Sequence, residues 1–407
     1  MKKYLIVVTM LLLTALLAAC QVSPTPPTDF ATVTPGPAVT ETAAPSETPT
    51  EVPPTIAPTT APTPTVVVAK YGPTGFPKNV NPLTGLVVSD PALLDRRPIL
   101  IKVQNLPRSS RPAYGLSNAD HIYEYYTEFG TTRFSALFYG QDAEKVRPIR
   151  SARMIDAQFL RMYKSFLIYG SATSQVREYF ATQDFANRLL LEETGSCPAI
   201  CRDDNNNPQG YLISDTRAVK AWVAKLGKDN SRQNLDGLTF DSAVPASGKS
   251  ATKVHVRFSA AIYNRWDFDA ATGTYLRFSD TDNDPTGKNP QYAPSMDDLV
   301  KKQHAAANLI VIMAETRELD PSPKVQILDT DLTGSGKAWV FRDGKVIEGK
   351  WQRAAATDLL TFVDADGKPI ALKPGQTWFQ VLTNASTMES EGSEYFFEWK
   401  QEWPSGT

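Results

Sequence analysis

Histidine and cysteine are scarce in this chain, with three of each among 407 residues. The histidines stand far apart, at 121, 255 and 304, and no His-x-His or His-Glu-x-x-His spacing occurs, so no metal site is expected. An excess of one charge is also missing. The 42 Lys and Arg face 44 Asp and Glu, a net of -2, which leaves no field to gather nucleic acid. There is no Gly-x-Ser-x-Gly elbow. Gly334-Ser335-Gly336-Lys337 lacks the phosphate-loop spacing and runs into a strand pattern. No cofactor is expected. What is present in quantity is apolar: 42% hydrophobic residues, enough to bury real cores.

The first seventy residues read as something other than fold. In Met1–Cys20, Lys2 and Lys3 precede an apolar run that falls short of the roughly 20 residues a bilayer span needs and ends in small residues. Leu17-Ala18-Ala19-Cys20 resembles the lipobox of bacterial lipoproteins, which implies a leader over residues 1–20 and a lipid on Cys20. Two or more acyl chains anchor stably where one does not. Residues 21–70 then hold 12 of the 31 prolines, interleaved with Thr and Ala. A Pro/Thr tract cannot bury enough apolar area to offset its ordering entropy, so it is expected to be a disordered, extended linker.

From residue 71 the spacing changes. Pro98–Gln104 predicts a strand, and His121–Phe129 with Thr131–Tyr139 predict a hairpin around Gly130. The competing reading there is a helix opened by Ser117. Ser151–Lys164, Ser174–Leu191 and Thr216–Leu226 have helical spacing, the last capped by Asp215. After a Gly/Ser/Asp loop at 237–250 nearly everything reads as strand: Lys253–Phe258, Tyr263–Phe268, Thr274–Phe278, Asn308–Ala314 and Thr377–Leu382. Lys337–Arg342 and Lys345–Trp351 flank Asp343-Gly344, a strong hairpin signal. The expectation is an α/β (α+β) protein. Its layered mixed-sheet part with helices spans 71–235, and a β-rich part spans 250–385.

Several stretches carry a family resemblance: Asn81-Pro82-Leu83-Thr84-Gly85-Leu86, Arg111-Pro112, Thr132-Arg133-Phe134, Arg147–Arg153, Thr274–Phe278, Asn308–Val311, Phe341–Lys345 and Pro374–Trp378. Together they resemble the YerB-like family of bacterial lipoproteins, two consecutive domains of unknown function. The resemblance runs from about Asn81 to Leu382. It implies a lipid-anchored envelope protein facing the extracytoplasmic side and supplies no catalytic mechanism. Arg147 stands where the family pattern has Gly. Tyr169–Thr173 replaces a His-Gly-Gly-Ser-Pro-like segment, so any chemistry of that histidine is absent here.

Three arginines, Arg133, Arg150 and Arg153, concentrate near the expected start of the helix at Ser151. With Glu124 they form the candidate ligand site, because guanidinium forks suit carboxylate or phosphate. The alternative is that the arginines pair with Glu124, Glu128 and Glu144. Glu124 and Glu128, four apart on one strand face, would be the acid/base pair of a cell-wall polysaccharide enzyme. Asp280–Asp284 imitates a calcium loop, but Pro285 and Gln291 occupy the positions that need Gly and Glu. Ser250-Ala-Thr-Lys253 has no companion motif. With Cys20 lipidated, Cys197 and Cys201 remain as an even pair in an oxidising compartment, and a disulfide is expected. The favoured reading is a non-catalytic binding or scaffolding module for an anionic cell-wall component or an envelope protein partner.

Overall fold

The computed structural model describes residues 70–203, 211–320 and 325–402; the expected leader, Cys20 and the proline-rich stretch through residue 69 lie outside them. In chain order the elements that matter here begin with β1 (Ile99–Gln104), β2 (His121–Tyr126), β3 (Thr132–Phe138) and β4 (Val146–Ile149). Helices α1 (Asp156–Tyr163), α2 (Ser174–Ala181) and α3 (Thr216–Lys225) follow. Then come β5 (Lys253–Arg257), β6 (Tyr263–Asp269), β7 (Thr274–Asp280) and β8 (Asn308–Ala314). The last four are β9 (Gly334–Arg342), β10 (Lys345–Arg353), β11 (Thr377–Thr383) and β12 (Glu394–Glu398).

One mixed sheet runs β10-β9-β8-β11-β2-β3-β1-β4 through its middle. Its strands from the first and second halves of the chain meet where β11 lies parallel to β2, Thr377 opposite His121 and Gln380 opposite Glu124. Side chains alternate across it. Ile99, Ile101, Phe134, Val311 and Trp378 face one way. Leu100, Tyr123, Ile310, Ile312 and Phe379 face the other. Both faces are covered, which explains why every position of β1 and β8 is buried. Phe159, Leu160 and Met162 of α1 with Val176 and Phe180 of α2 pack on one face. The other face meets a second sheet, containing β5, β6, β7 and β12, and helix α3, through Val254, Trp266, Tyr275, Phe397 and Trp222. Each such fully buried side chain contributes about 1.5–3 kcal/mol. The class is α+β.

The hairpin reading of 121–139 holds: β2 and β3 are antiparallel, with Glu124 opposite Phe134. Asp343 and Gly344 both take positive φ, 53° and 70°, as a two-residue turn between twisted strands requires. Two helices are shorter than their spacing predicts. The first begins at Asp156, not Ser151, because the Ala152 N–H is spent on the Ser171 carbonyl and the Asp156 carboxylate takes the Arg153 N–H at 2.7 Å. The second stops at Ala181, where the Thr182 hydroxyl closes back on the Tyr179 carbonyl, and Leu189–Leu190 then joins the sheet beside Leu167 and Ile168. Strand β12 was not legible because it pairs in parallel with β5, about 140 residues away in sequence, Lys253 opposite Glu394. No helix among the described residues is long and apolar enough to cross a membrane.

Candidate functional site

The four proposed ligand residues fall into three places. Glu128, at the end of the β2–β3 hairpin, accepts from Arg133 Nη2 at 2.9 Å and from Arg153 Nε at 2.6 Å, with Arg153 Nη2 also on Oε1. Burial works to raise the Glu128 carboxyl. The hydrogen bond and charge of Arg153, with the charge of Arg133, outweigh it and hold the group below its ordinary value. Burial and the Arg153 charge in turn push the Arg133 guanidinium down to about 10. Arg150 instead reaches the Gln104 side chain and stacks 4.6 Å from the Tyr211 ring centre. Glu144 meets none of these arginines and faces Arg217 at 3.4 Å.

Glu124 is fully buried. Its Oε1 accepts from Asn105 Nδ2 (3.0 Å) and Thr132 Oγ1 (3.0 Å). Its Oε2 accepts from Arg277 Nη2 (3.0 Å), Asn264 Nδ2 (3.1 Å) and Gln380 Nε2 (3.3 Å). Five donors from β3, β6, β7, β11 and the segment after β1 fill the carboxylate's acceptor sites. Such a group is fixed, with no surface on which to meet a substrate.

Sequence reasoning missed a second buried ion pair. Lys102 Nζ lies 3.2 Å from Asp156 Oδ1, both side chains fully covered. Tyr125 and Ser135 hydroxyls also donate to that oxygen, at 2.9 and 2.8 Å. Burial pushes the Lys102 ammonium down to about 8 against the pull of Asp156. The one signal was a lysine inside the apolar Ile99–Gln104 run.

The partners of Glu124 lead to a cleft of about 370 Å³ between the segment after β1 and the second sheet. Arg108 and Arg111 stand at it and converge on Asp280, with Arg108 Nε at 2.7 Å and Arg111 Nη1 at 3.0 Å. Asp280 and Asp284, the start of the calcium-like motif, are therefore arginine partners, Asp284 taking Arg257 at 3.3 Å. Pro112, Ala113, Phe134 and Met296 supply an apolar wall. Arg277, 2% exposed, packs among the rings of Phe134, Trp266 and Trp378 and donates from Nη1 to Ser295 Oγ at 2.9 Å.

Ser295 Oγ is 3.1 Å from His304 Nδ1. Arg277 donates to Ser295 Oγ, and that oxygen, with one proton and two lone pairs, meets His304 Nδ1 in either tautomer of the ring. His304 Nε2 and Arg277 Nε are both buried without a partner, and Asp297 Oδ2 lies 3.9 Å from Nε2. Burial outweighs Asp297 and pushes the His304 imidazole down to about 4. The other two histidines are satisfied: His121 between the Tyr163 hydroxyl and the Leu83 carbonyl, both at 2.8 Å, and His255 beside Glu394 at 3.1 Å. Arg147 stacks on Tyr114 and pairs with Asp203 at 2.7 Å. Cys197 and Cys201 are joined as a disulfide, their Cα atoms 4.8 Å apart.

Fold and cleft define a class: an α+β protein in two consecutive parts that share one sheet and contribute jointly to one recess. Residues 83–229 match the family model described as "Protein of unknown function (DUF3048) N-terminal domain", and 254–379 match its C-terminal counterpart. The chain belongs to this family, the YerB-like proteins. YerB of Bacillus subtilis (strain 168), named as a candidate lipoprotein, is 26% identical over 322 residues, 76% of this chain and 89% of that one. A crystal structure of the YerB protein from Bacillus subtilis superposes with a TM-score of 0.62 at 24% identity, covering 75% of this chain and 97% of that one. At that identity it establishes the fold.

Proposed function

We propose that this protein is a lipid-anchored component of the cell envelope that binds an anionic, carboxylate-bearing wall component in the cleft without transforming it. The relative's name and the lipobox ending at Cys20 support the anchor. The cleft reading is carried by one observation: Arg277 Nε and His304 Nε2, two buried nitrogens without partners, belong to residues lining a recess that also carries Arg108 and Arg111 beside its apolar wall. A buried donor left unpaired costs about 1–3 kcal/mol, and a ligand oxygen relieves that cost. Arg108 and Arg111 would steer the anion in. Arg150 borders the same cleft through Gln104, whereas Arg133 and Arg153 serve it at a distance by fixing the hairpin on Glu128.

Non-catalytic binding fits the carboxylates and the serine. Glu124 is enclosed, and Glu128 is held ionised by two guanidiniums, so neither is poised as a general acid. Ser295, His304 and Asp297 lie in sequence as a hydrolytic relay would, but burial lowers the imidazole to about 4 and so makes it a weak base toward serine. The test is calorimetric titration with soluble peptidoglycan fragments bearing free peptide carboxylates, in the native chain and His304→Phe. The variant removes an unpaired buried ring nitrogen, so its melting temperature should hold or rise while affinity falls about tenfold. Native protein that ignores the fragments, or unchanged affinity in the variant, overturns the reading.

A further inference from the structure

A second recess, of about 270 Å³, opens at the C-terminal end of α1 and shares no lining residue with the cleft. Its walls carry Arg97, Arg161, Lys164, Arg188 and Lys228, against only two carboxylates, Asp184 and Asp229. Both carboxylates are more than half exposed, at 58% and 59%, and so belong to the rim. The end of a helix does call for cations, because its last carbonyls lack intrahelical donors. Here that need is met by two guanidiniums. Arg188 Nη1 donates to the Leu160 carbonyl at 2.7 Å and Arg97 Nη1 to the Lys164 carbonyl at 2.9 Å. Arg161, Lys164 and Lys228 exceed it, Arg161 donating to the rim Asp184 at 2.9 Å and Lys164 to the Asn234 and Thr357 carbonyls at 3.1 and 2.9 Å.

Lys228 Nζ donates to the Asn187 carbonyl at 2.6 Å, using one of three protons. Arg188 meets Asp184 only at 3.7 Å. The positive groups are held against one another. Burial first, then the charges of Arg97 and Arg161, push the Arg188 guanidinium down to about 10. Lys164 is lowered by burial and by Arg188, Arg353 and Arg97, with Asp358 opposing.

We infer that this recess is an anion site that takes a phosphate group, as the free ion or as a monoester. The excess is three positive charges. A carboxylate would offset one of them, while a phosphate monoester brings close to two and three acceptor oxygens for cations that approach from several sides. The volume is about nine times the share of one water in the liquid, which leaves room for the group and a small ester substituent. The same headgroup chemistry is offered by a soluble phosphate ester and by a phosphatidic acid surface, and the experiment separates them.

The full chain is titrated with inorganic phosphate and, at equal ionic strength, with acetate, followed by calorimetry and thermal shift. Saturable binding of phosphate with a rise in melting temperature is expected, and none with acetate. Lys228→Gln, a change at a half-exposed side chain, should weaken phosphate about tenfold, and Lys228→Arg should restore most of it. Lys249→Gln, in an exposed surface pair with Glu348 and outside the recess lining, should change nothing. His304→Phe should also leave phosphate binding intact, which keeps this site independent of the cleft. Glycerol 3-phosphate and vesicles of phosphatidylcholine with or without phosphatidic acid then distinguish the sources. Binding of the soluble ester identifies a free ligand, and binding confined to phosphatidic acid vesicles identifies a lipid headgroup. No saturable phosphate binding, an equal response to acetate, or an unchanged affinity in Lys228→Gln overturns the inference.

Discussion

Gln380 stands directly opposite Glu124 across the parallel β11–β2 pairing, and its amide donates to Glu124 Oε2 at 3.3 Å. Asn264 from the second sheet bridges the two, donating to Glu124 Oε2 at 3.1 Å and to Gln380 Oε1 at 3.0 Å. Arg277 completes the carboxylate's shell. The two halves of the chain are thus fastened by a charged group that neither could satisfy alone. Leaving a buried charge without its counter-ion is among the costliest single changes available.

Glu124→Ala should therefore cost about 3–5 kcal/mol, because Arg277 is left buried and unpaired. Since one sheet runs through both halves, urea unfolding should remain a single transition shifted to lower denaturant. The paired change Glu124→Leu with Arg277→Met should recover much of the loss. Two separate transitions in the native protein would contradict the shared sheet.

Stability should rise with pH between about 4 and 6.5. Burial pushes His121 and His304 each down to about 4, so on unfolding both take up a proton in this window. Asp120 acts in the opposite sense. Burial, against hydrogen bonds from Gly140, Tyr139 and Asn81, pushes its carboxyl up to about 7, and unfolding releases its proton above the ordinary aspartate value. These three groups together give a net uptake of one proton, hence a gain of roughly 1.4 kcal/mol per pH unit. His121→Gln should remove that slope increment. Urea midpoints measured from pH 4.5 to 6 check it, and stability that falls with rising pH would refute it.

The Cys197–Cys201 bond closes a very small loop, and Cys197→Ser with Cys201→Ser should cost only about 2 kcal/mol. Thiol titration of the denatured, unreduced protein should find neither of these sulfurs free. Two reactive thiols at these positions would reject the bond.

Cys20→Ala tests the anchor. The protein should either keep its leader or leave the membrane fraction, and the mature N-terminus should lose the mass of its acyl chains. Unchanged fractionation together with unchanged mass would end the lipoprotein reading.

Local chemistry was legible in the sequence wherever the cause is local. The β-branched run of Ile99–Gln104, the Asp343-Gly344 turn and the Asp215 cap of Thr216–Lys225 each answer to neighbours a few residues away, and each appears as expected. The family motifs, too, find local reasons. Asn81 of the Asn-Pro-Leu-Thr-Gly stretch accepts the Leu83 N–H at 3.0 Å and so shapes its own turn.

The sequence by itself determined the α+β class, the family and the even cysteine pair, because composition, period and motif suffice for those. Tertiary structure decided which arginine belongs to which carboxylate. Arg133 and Arg153 meet Glu128 within a hairpin and its neighbour, but Glu124 draws Arg277 from 153 positions away. No periodicity encodes a contact that exists only after β11 has been laid beside β2. The cleft follows the same rule. His304 reads as an ordinary buried histidine until Ser295, Arg277 and the segment after β1 are brought around it, and only then is its Nε2 left without a partner beside the recess.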